Sequence, residues 1–261
     1  MFKRYVRWLP LLLLTCFAVS VPLWGNDAGA SFANALQPPS SVHLAGTDHY
    51  GHDLLTRTAL GLRTSLAFGG VAALSATILG ALVGLTAAAA GGVVDRVLMR
   101  FADAVNALPH LVAGVAIVAL LGGSPASLVT SIALTHWTQV ARVVRGVAVS
   151  TRSAEYVVGA RLMGAGRRWL MLGHLLPSVT GHAAVSTLML VPHAVWHEST
   201  LSFLGLGLQP DSPSLGTLIE VSRSDIMVGA WWTLALPATA LVAATLALFA
   251  LRPLNPLGAN Q

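Results

Sequence analysis

Long uncharged runs fill most of the chain, and short polar segments between them carry nearly all of its charge. A helix needs about 20 mostly apolar residues to cross a bilayer. The runs cover residues 8–26, 64–94, 104–141, 169–197 and 226–251. The third run is too long for one span, and the Gly-Gly-Ser-Pro sequence at 122–125 predicts a turn inside it. The pattern therefore predicts six transmembrane helices.

Basic residues predict the orientation of these helices, because cytoplasmic loops are enriched in lysine and arginine. With a cytoplasmic N-terminus, Lys3, Arg96, Arg100 and six arginines between residues 142 and 168 lie inside. The acidic residues near the second run, Asp48 and Asp53, then lie outside. We expect both termini to be cytoplasmic and the chain to be multi-pass. Alternatively, the first run is a cleaved signal peptide, because it follows a basic segment.

Three regions follow from this layout. Residues 1–63 hold the first transmembrane helix and a periplasmic segment, residues 64–251 hold the transmembrane core, and residues 252–261 form a short cytoplasmic tail.

The composition of the chain limits the classes of function that it can have. Only 10% of the 261 residues are charged and 55% are hydrophobic, so the chain is expected to reside in lipid. The net charge of +5 is scattered between apolar runs and forms no basic stripe, which argues against nucleic-acid binding. Lys3 is the only lysine, so a phosphate-binding loop of the Walker type is excluded. No nucleophile–base set stands out. The chain is therefore expected to be a transporter subunit without a nucleotide site rather than an enzyme, or, alternatively, a membrane scaffold.

The basic segment 150–177 predicts a compact cytoplasmic knob. Residues 155–163 read as a short amphipathic helix, and the Gly-Ala-Gly sequence at 164–166 as a turn, because glycine adopts positive φ without steric cost. Residues 167–176 read as a second helix that Pro177 stops.

This segment resembles the EAA loop of ABC-importer permeases, in which a short triplet precedes a glycine and a later apolar-x-Leu-Pro ending. Here Val158 replaces the usual glutamate and Gly159 the usual alanine; Glu155 is a candidate substitute for the missing carboxylate. The resemblance implies that an ATPase contacts this loop. The candidate coupling residues are Glu155, Val158, Gly159, Ala160, Arg161, Gly164, Ala165 and Pro177.

Three further segments resemble the dipeptide, oligopeptide and nickel permease family. Residues 46–53 read GTDHYGHD, similar to the family's GTDxxGRD, with His52 in place of arginine. Residues 91–100 resemble the inside stretch after its second span, and residues 202–207 read SFLGLG. The resemblance extends over roughly residues 46–237. The C-terminal segment departs from the family by being shorter and less charged.

The resemblance implies an all-α integral membrane protein with the type I ABC importer permease fold: six transmembrane helices and a cytoplasmic helix-turn-helix coupling loop. It also implies a bacterial inner-membrane location. The expected partners are a second permease subunit in a heterodimer, two ATPase subunits at the loop, a periplasmic substrate-binding protein and membrane lipid. No cofactor is expected in this chain.

Polar side chains inside the fifth run are candidates for the translocation path, because such groups are costly in lipid. His193 and His197 are one helical turn apart, Glu198 follows, and His136 lies in an earlier run. Three interpretations remain open: hydrogen bonding between helices, a path that touches a chelated metal, and direct metal ligation. The histidines favour nickel or a metal–metallophore chelate as cargo, with dipeptides or oligopeptides as the alternative.

Histidines also crowd the segment before the second run. His43, His49 and His52 lie near Asp48 and Asp53. These groups form either a loose metal site or a solvated surface, and their spacing, which matches no metal motif, favours the solvated surface.

Overall fold

Helices form every regular element in the part of the chain that the computed structural model describes, residues 8–24, 29–207 and 212–251. Predictions for the basic N-terminus with Lys3 and for the tail 252–261 lie outside these residues. The helices are α1 (Leu9–Trp24), α2 (Leu54–Ala90), α3 (Gly92–Ala107), α4 (His110–Leu120), α5 (Pro125–Arg152), α6 (Glu155–Leu162), α7 (Arg167–Leu170), α8 (Leu176–Phe203), α9 (Leu215–Met227) and α10 (Trp232–Ala250).

The count of six spans is not confirmed. Among the described residues, three helices are long and apolar enough to cross a membrane: α2, the continuous helix 168–203 that contains α8, and α10. The bent pair of α3 and α4 makes a fourth if it is one broken span. Helix α1 has only 16 residues, and α5, although 28 residues long, carries many polar side chains along its length.

Two breaks explain why the apolar runs and the helices differ. Helices α3 and α4 meet at 92° around Leu108 and Pro109. Leu108 is extended, with φ −80° and ψ 137°, as expected for a residue that precedes proline. The run from 104 to 141 is therefore interrupted there as well as at the predicted glycine turn, which the structure contains between α4 and α5. The last apolar run is also divided, because Gly229, at φ +90°, separates α9 from α10.

Helix α2 is the centre of the bundle and packs against α5 and α8 over most of its length. Small residues make this close approach possible. A Cβ on Gly80 would lie 2.5 Å from the carbonyl oxygen of Trp137, and one on Gly84 would lie 2.5 Å from that of Ala141. Such small-residue contacts are common where helices associate in membranes. Lipid removes the hydrophobic driving force between helices, so close van der Waals packing has to hold them together.

Large apolar side chains of α2 point away from this core. Val71, Leu74, Ile78 and Leu82 recur at helical spacing and are each more than half exposed. The buried positions between them are mainly alanine and glycine. A helix with small residues inside and large apolar residues outside is suited to lipid, which solvates the outer face.

Ion pairs join α3 to α5. The Arg145 guanidinium pairs with the Asp95 carboxylate, and Arg142 Nη2 donates to Asp103 Oδ1 over 2.9 Å. Near the second pair, the side chains of Asn106 and Thr138 form a hydrogen bond of 2.6 Å. Helix α3 therefore has a polar face against α5, while Val93, Val97 and other apolar residues remain exposed on it.

The prediction that Pro177 stops a second helix is wrong. Residues 171–175 form a π-helical turn, in which the Leu176 N–H reaches the Met171 carbonyl, and α8 continues without a break to Phe203. Pro177 lies in the first turn of α8, where the wider π turn accommodates a ring that would collide with the carbonyl of residue i−4 in a regular helix. Helix α7 is thus continuous with a long membrane helix, and α6 precedes it across the turn at residues 163–166.

We predict that Gly80→Ala destabilises the protein, because the new Cβ would collide with the backbone of α5, which cannot move without disturbing the helix. Overpacking of this kind costs about 1–3 kcal/mol. Thermal unfolding of the purified protein in detergent measures the effect. Gly70→Ala is the matched control, because a Cβ at Gly70 meets nothing within 4 Å and alanine favours the helix. Equal unfolding temperatures for both variants would contradict the packing argument.

Candidate functional site

Three histidine rings from three helices meet within the bundle. The ring centroids of His110 on α4 and His136 on α5 are 5.2 Å apart, and those of His136 and His197 on α8 are 4.6 Å apart. His136 is the most buried, with 2% of its surface exposed. Sequence reasoning identified His136 and His197 but missed His110. The sequence signal that could have identified His110 is Pro109. The chain bends there between α3 and α4, so that His110, the first residue of α4, faces α5.

The histidine cluster is joined to the backbone of α5. His136 Nδ1 lies 3.1 Å from the Ile132 carbonyl oxygen and 2.8 Å from the Thr135 hydroxyl. Since a carbonyl oxygen only accepts, Nδ1 donates to Ile132 and leaves Nε2 as the acceptor. Among the described residues, no group of three or more His, Cys, Asp or Glu side chains is arranged to hold a metal ion. The geometry therefore gives no support to direct metal ligation.

His193 has different surroundings from His197, although the two are one turn apart on α8. Its ring lies edge-on to Phe249, with centroids 5.8 Å apart, and the side chain lines a cavity of about 540 Å³ between α5 and α8. The two side chains therefore lie in different places: His197 is in the histidine cluster, and His193 lines the cavity. A role of these side chains in translocation stays a prediction.

Glu198 is the centre of a buried serine cluster. It is fully buried, and its carboxylate accepts hydrogen bonds from Ser65 Oγ on α2 at 2.8 Å and from Ser202 Oγ at 2.9 Å. Ser65 Oγ in turn accepts from the N–H of Leu215, the first residue of α9. These bonds join α2, α8 and α9 at one point. These contacts place Glu198 at a buried junction of three helices, and a role of Glu198 in translocation stays a prediction.

The candidate coupling loop combines a buried core with an exposed face. Val157 and Ala160 on α6 pack with Leu170 on α7 and are at least nine-tenths buried. Gly164 has a φ of +93°, which favours glycine, although its surroundings leave room for a side chain. The remaining candidates vary in exposure: Glu155, Val158, Arg161 and Pro177 are exposed, and Gly159 and Ala165 are half-buried.

The histidines before α2 are ordered in pairs with aspartates, so the expected solvated surface is wrong. Nδ1 of His43 lies 3.2 Å from Asp53 and that of His52 lies 3.0 Å from Asp48. His49 Nδ1 lies 3.0 Å from Asp225 on α9, whose side chain is 2% exposed. Each histidine has its own carboxylate. The pairs tie this segment to α2 and α9.

Residues 76–254 match the family described as binding-protein-dependent transport system inner membrane component. The chain belongs to this family. It is therefore a permease subunit of an ABC importer and not an enzyme, and the family implies ATPase and binding-protein partners.

Individual relatives are named for peptide transport. The chain is 36% identical over 201 residues to a dipeptide transport system permease protein of Bacillus subtilis, covering 77% of this chain and 63% of the relative. It is 32% identical over 221 residues to an oligopeptide transport system permease protein of Haemophilus influenzae, covering 85% and 71%. It is 34% identical over 190 residues to a glutathione transport system permease protein of Pectobacterium atrosepticum, covering 73% and 63%.

These relatives bear on the cargo. Their names specify dipeptides, oligopeptides and glutathione, so the preference for nickel or a metallophore is not supported. The alternative, a peptide, fits them better. The histidines that suggested a metal have other partners in the structure: aspartates before α2, and each other and the α5 backbone in the cluster.

We predict that Glu198→Ala lowers the stability of the protein, because it leaves the hydroxyls of Ser65 and Ser202 buried without their acceptor. A buried donor without a partner costs about 1–3 kcal/mol. Glu198→Gln, which keeps one carbonyl oxygen, is expected to lose less. Thermal unfolding in detergent measures both, with Glu220→Ala at the open cleft beside α9 as the control. An unfolding temperature of Glu198→Ala equal to that of the wild type would show that the serine cluster contributes nothing.

Proposed function

We propose that this chain is one of two permease subunits, forming a heterodimer, through which an ABC importer passes peptides into the cytoplasm. The observation that carries the cargo class is the resemblance to permeases named for dipeptides and oligopeptides, at 36% and 32% identity. A periplasmic binding protein delivers the peptide, and two separate ATPase chains supply the energy, since this chain has no lysine outside Lys3 and hence no Walker-type loop.

The proposed topology is six spans with both termini in the cytoplasm. The distribution of arginines supports it, because Arg142, Arg145, Arg152 and Arg161 all lie near the end of α5 or in α6, far from the acidic segment before α2. In this arrangement the histidine–aspartate pairs face the periplasm. Helix α6 and the turn at Gly164 face the cytoplasm.

Coupling to the ATPase is proposed to run through α6 and α7. The buried contacts of Val157 and Ala160 with Leu170 make the two short helices one unit, while Tyr156, Leu162 and Met163 remain more than half exposed and available to a partner. The unit continues through the π-helical turn into α8, which carries His193 and His197. A movement of the loop by the ATPase is thereby passed to the wall of the path as a rigid-body shift.

The cargo is tested by uptake of labelled dipeptide and of labelled nickel chelate in cells from which the genes for this chain and its partner subunits are deleted, and in the same cells with these genes restored. We expect restoration to recover dipeptide uptake and to leave nickel uptake unchanged. Recovery of nickel uptake alone would overturn the proposed cargo, and recovery of neither would overturn the assignment as an importer of either class.

We predict that Gly164→Pro abolishes transport while the protein still inserts into the membrane. Proline requires a φ near −65°, so it cannot adopt the +93° of this position, and the angle between α6 and α7 must change. Peptide uptake and the peptide-stimulated ATPase rate of the reconstituted complex measure the loss. Gly166→Ala is the control, since Gly166 is not in the positive-φ region and a Cβ there meets nothing within 4 Å. Wild-type uptake by Gly164→Pro would show that this turn does not couple the subunits.

A further inference from the structure

A cavity of about 540 Å³ opens between α5 and α8. This volume is within the range of about 300–1,000 Å³ typical of sites for small organic ligands. The polar lining residues are Gln139 on α5 and His182, Ser186 and His193 on α8, and the other lining residues are apolar or glycine. The cavity is thus built by two of the three helices that hold the histidine cluster.

Four of the lining residues are polar, and three of them form a stripe on α8. The stripe begins at His182, and Ser186 and His193 follow it by four and eleven residues. This spacing places all three on one face of the helix over about three turns. Gln139 faces them from α5 and is exposed, as is His193. Polar side chains on a membrane helix are costly against lipid, so this face is suited to water and to a polar solute.

The stripe and Gln139 provide hydrogen-bonding groups on two opposing walls. His182 Nδ1 lies 3.3 Å from the Ser178 carbonyl oxygen of its own helix, so it donates there and its Nε2 is an acceptor. The Ser186 hydroxyl and the Gln139 amide each both donate and accept. These are the groups that complement the N–H and C=O groups of a peptide backbone, which every peptide has regardless of its side chains.

Formal charge is absent from the described residues that line the cavity: none is Asp, Glu, Lys or Arg. A fixed charge would hold one end of a zwitterionic peptide and repel the other, and would favour peptides with side chains of the opposite sign. Conduction requires binding that is weak enough to release the cargo. Groups without a permanent charge meet this requirement for cationic, neutral and anionic peptides alike.

We propose that the cavity lining formed by Gln139 on one wall and His182, Ser186 and His193 on the other contacts the moving peptide, and that its lack of permanently charged side chains lets peptides of any charge pass at similar rates. Gln139, on the opposite wall from the stripe, is then a position at which charge specificity is created by one substitution. The proposal deepens the proposed function and rests on it.

The test uses the complete reconstituted complex with both permeases, the ATPases and the binding protein, in proteoliposomes. Each binding protein sample is saturated with dialanine, dilysine or diglutamate, and the uptake of each variant is divided by that of the wild type for the same peptide. We expect Gln139→Lys to lower this ratio for dilysine about tenfold relative to diglutamate, and Gln139→Glu to do the reverse, as expected for two charges a few ångströms apart.

The two Gln139 variants control for each other, because they add a charge of opposite sign at one position. Ser150→Lys and Ser150→Glu provide a second control: Ser150 is on the same face of α5, three turns away, exposed and outside the cavity. We expect no peptide preference from them. Ser186→Lys and Ser186→Asp test the opposite wall, and the same reversal of sign is expected.

Three results would overturn the proposal. Equal ratios for all three dipeptides in the Gln139 and Ser186 variants would show that the cavity does not meet the cargo. Loss of the second permease from the purified variants would show that the partner subunit, and not peptide, fills the cavity. Absence of peptide uptake by the wild-type complex would overturn the proposed function itself, which the wild-type measurement distinguishes from the other two.

Discussion

The close backbone contact between α2 and its neighbours is the constraint on which the rest of the structure depends. Gly80 and Gly84 allow α2 to touch the carbonyl oxygens of α5, and Gly69 allows it to approach Val195 on α8. Because α2 contacts both helices, it fixes their separation from each other. That separation brings His136 and His197 together and leaves the cavity beside them open.

Polar groups inside the bundle divide into two sets with different consequences. Glu198 and His136 are buried, and the Glu198 carboxylate and His136 Nδ1 have hydrogen-bond partners on neighbouring residues. They stabilise the contacts between helices, because a buried polar group in a membrane needs a partner within the protein. Gln139 and His193 are exposed to the cavity. A polar group that is not used in contacts between helices is available to bind a solute. This is the physical reason for proposing that the cavity lining contacts the cargo.

Helix α7, the π-helical turn and α8 form one continuous helix, which connects the candidate coupling loop to the lining of the cavity. A helix that ended at Pro177 would leave a flexible joint between the exposed face of α6 and the membrane. The π turn admits the proline without a break, so the chain from Arg167 to His182 is one continuous helix that begins just after the turn at Gly164. Rigidity over this distance is what a permease needs if hydrolysis in another chain is to move its path.

The sequence by itself determined that the chain is an all-helical membrane protein of the permease family, because apolar runs, scarce charge and the segments at 46–53 and 202–207 are local properties. It also located the turn at Gly164 and the polar positions His136 and His197. Only the tertiary structure decided the partners of those residues. Glu198 and His197 are adjacent in sequence, yet their side chains have different partners. The Glu198 carboxylate accepts hydrogen bonds from serines on α2 and α8, whereas the His197 ring lies in the histidine cluster that includes His110. Such differences arise where helices cross, and the crossings depend on glycine contacts and on breaks at Pro109 and Gly229 that periodicity alone does not resolve.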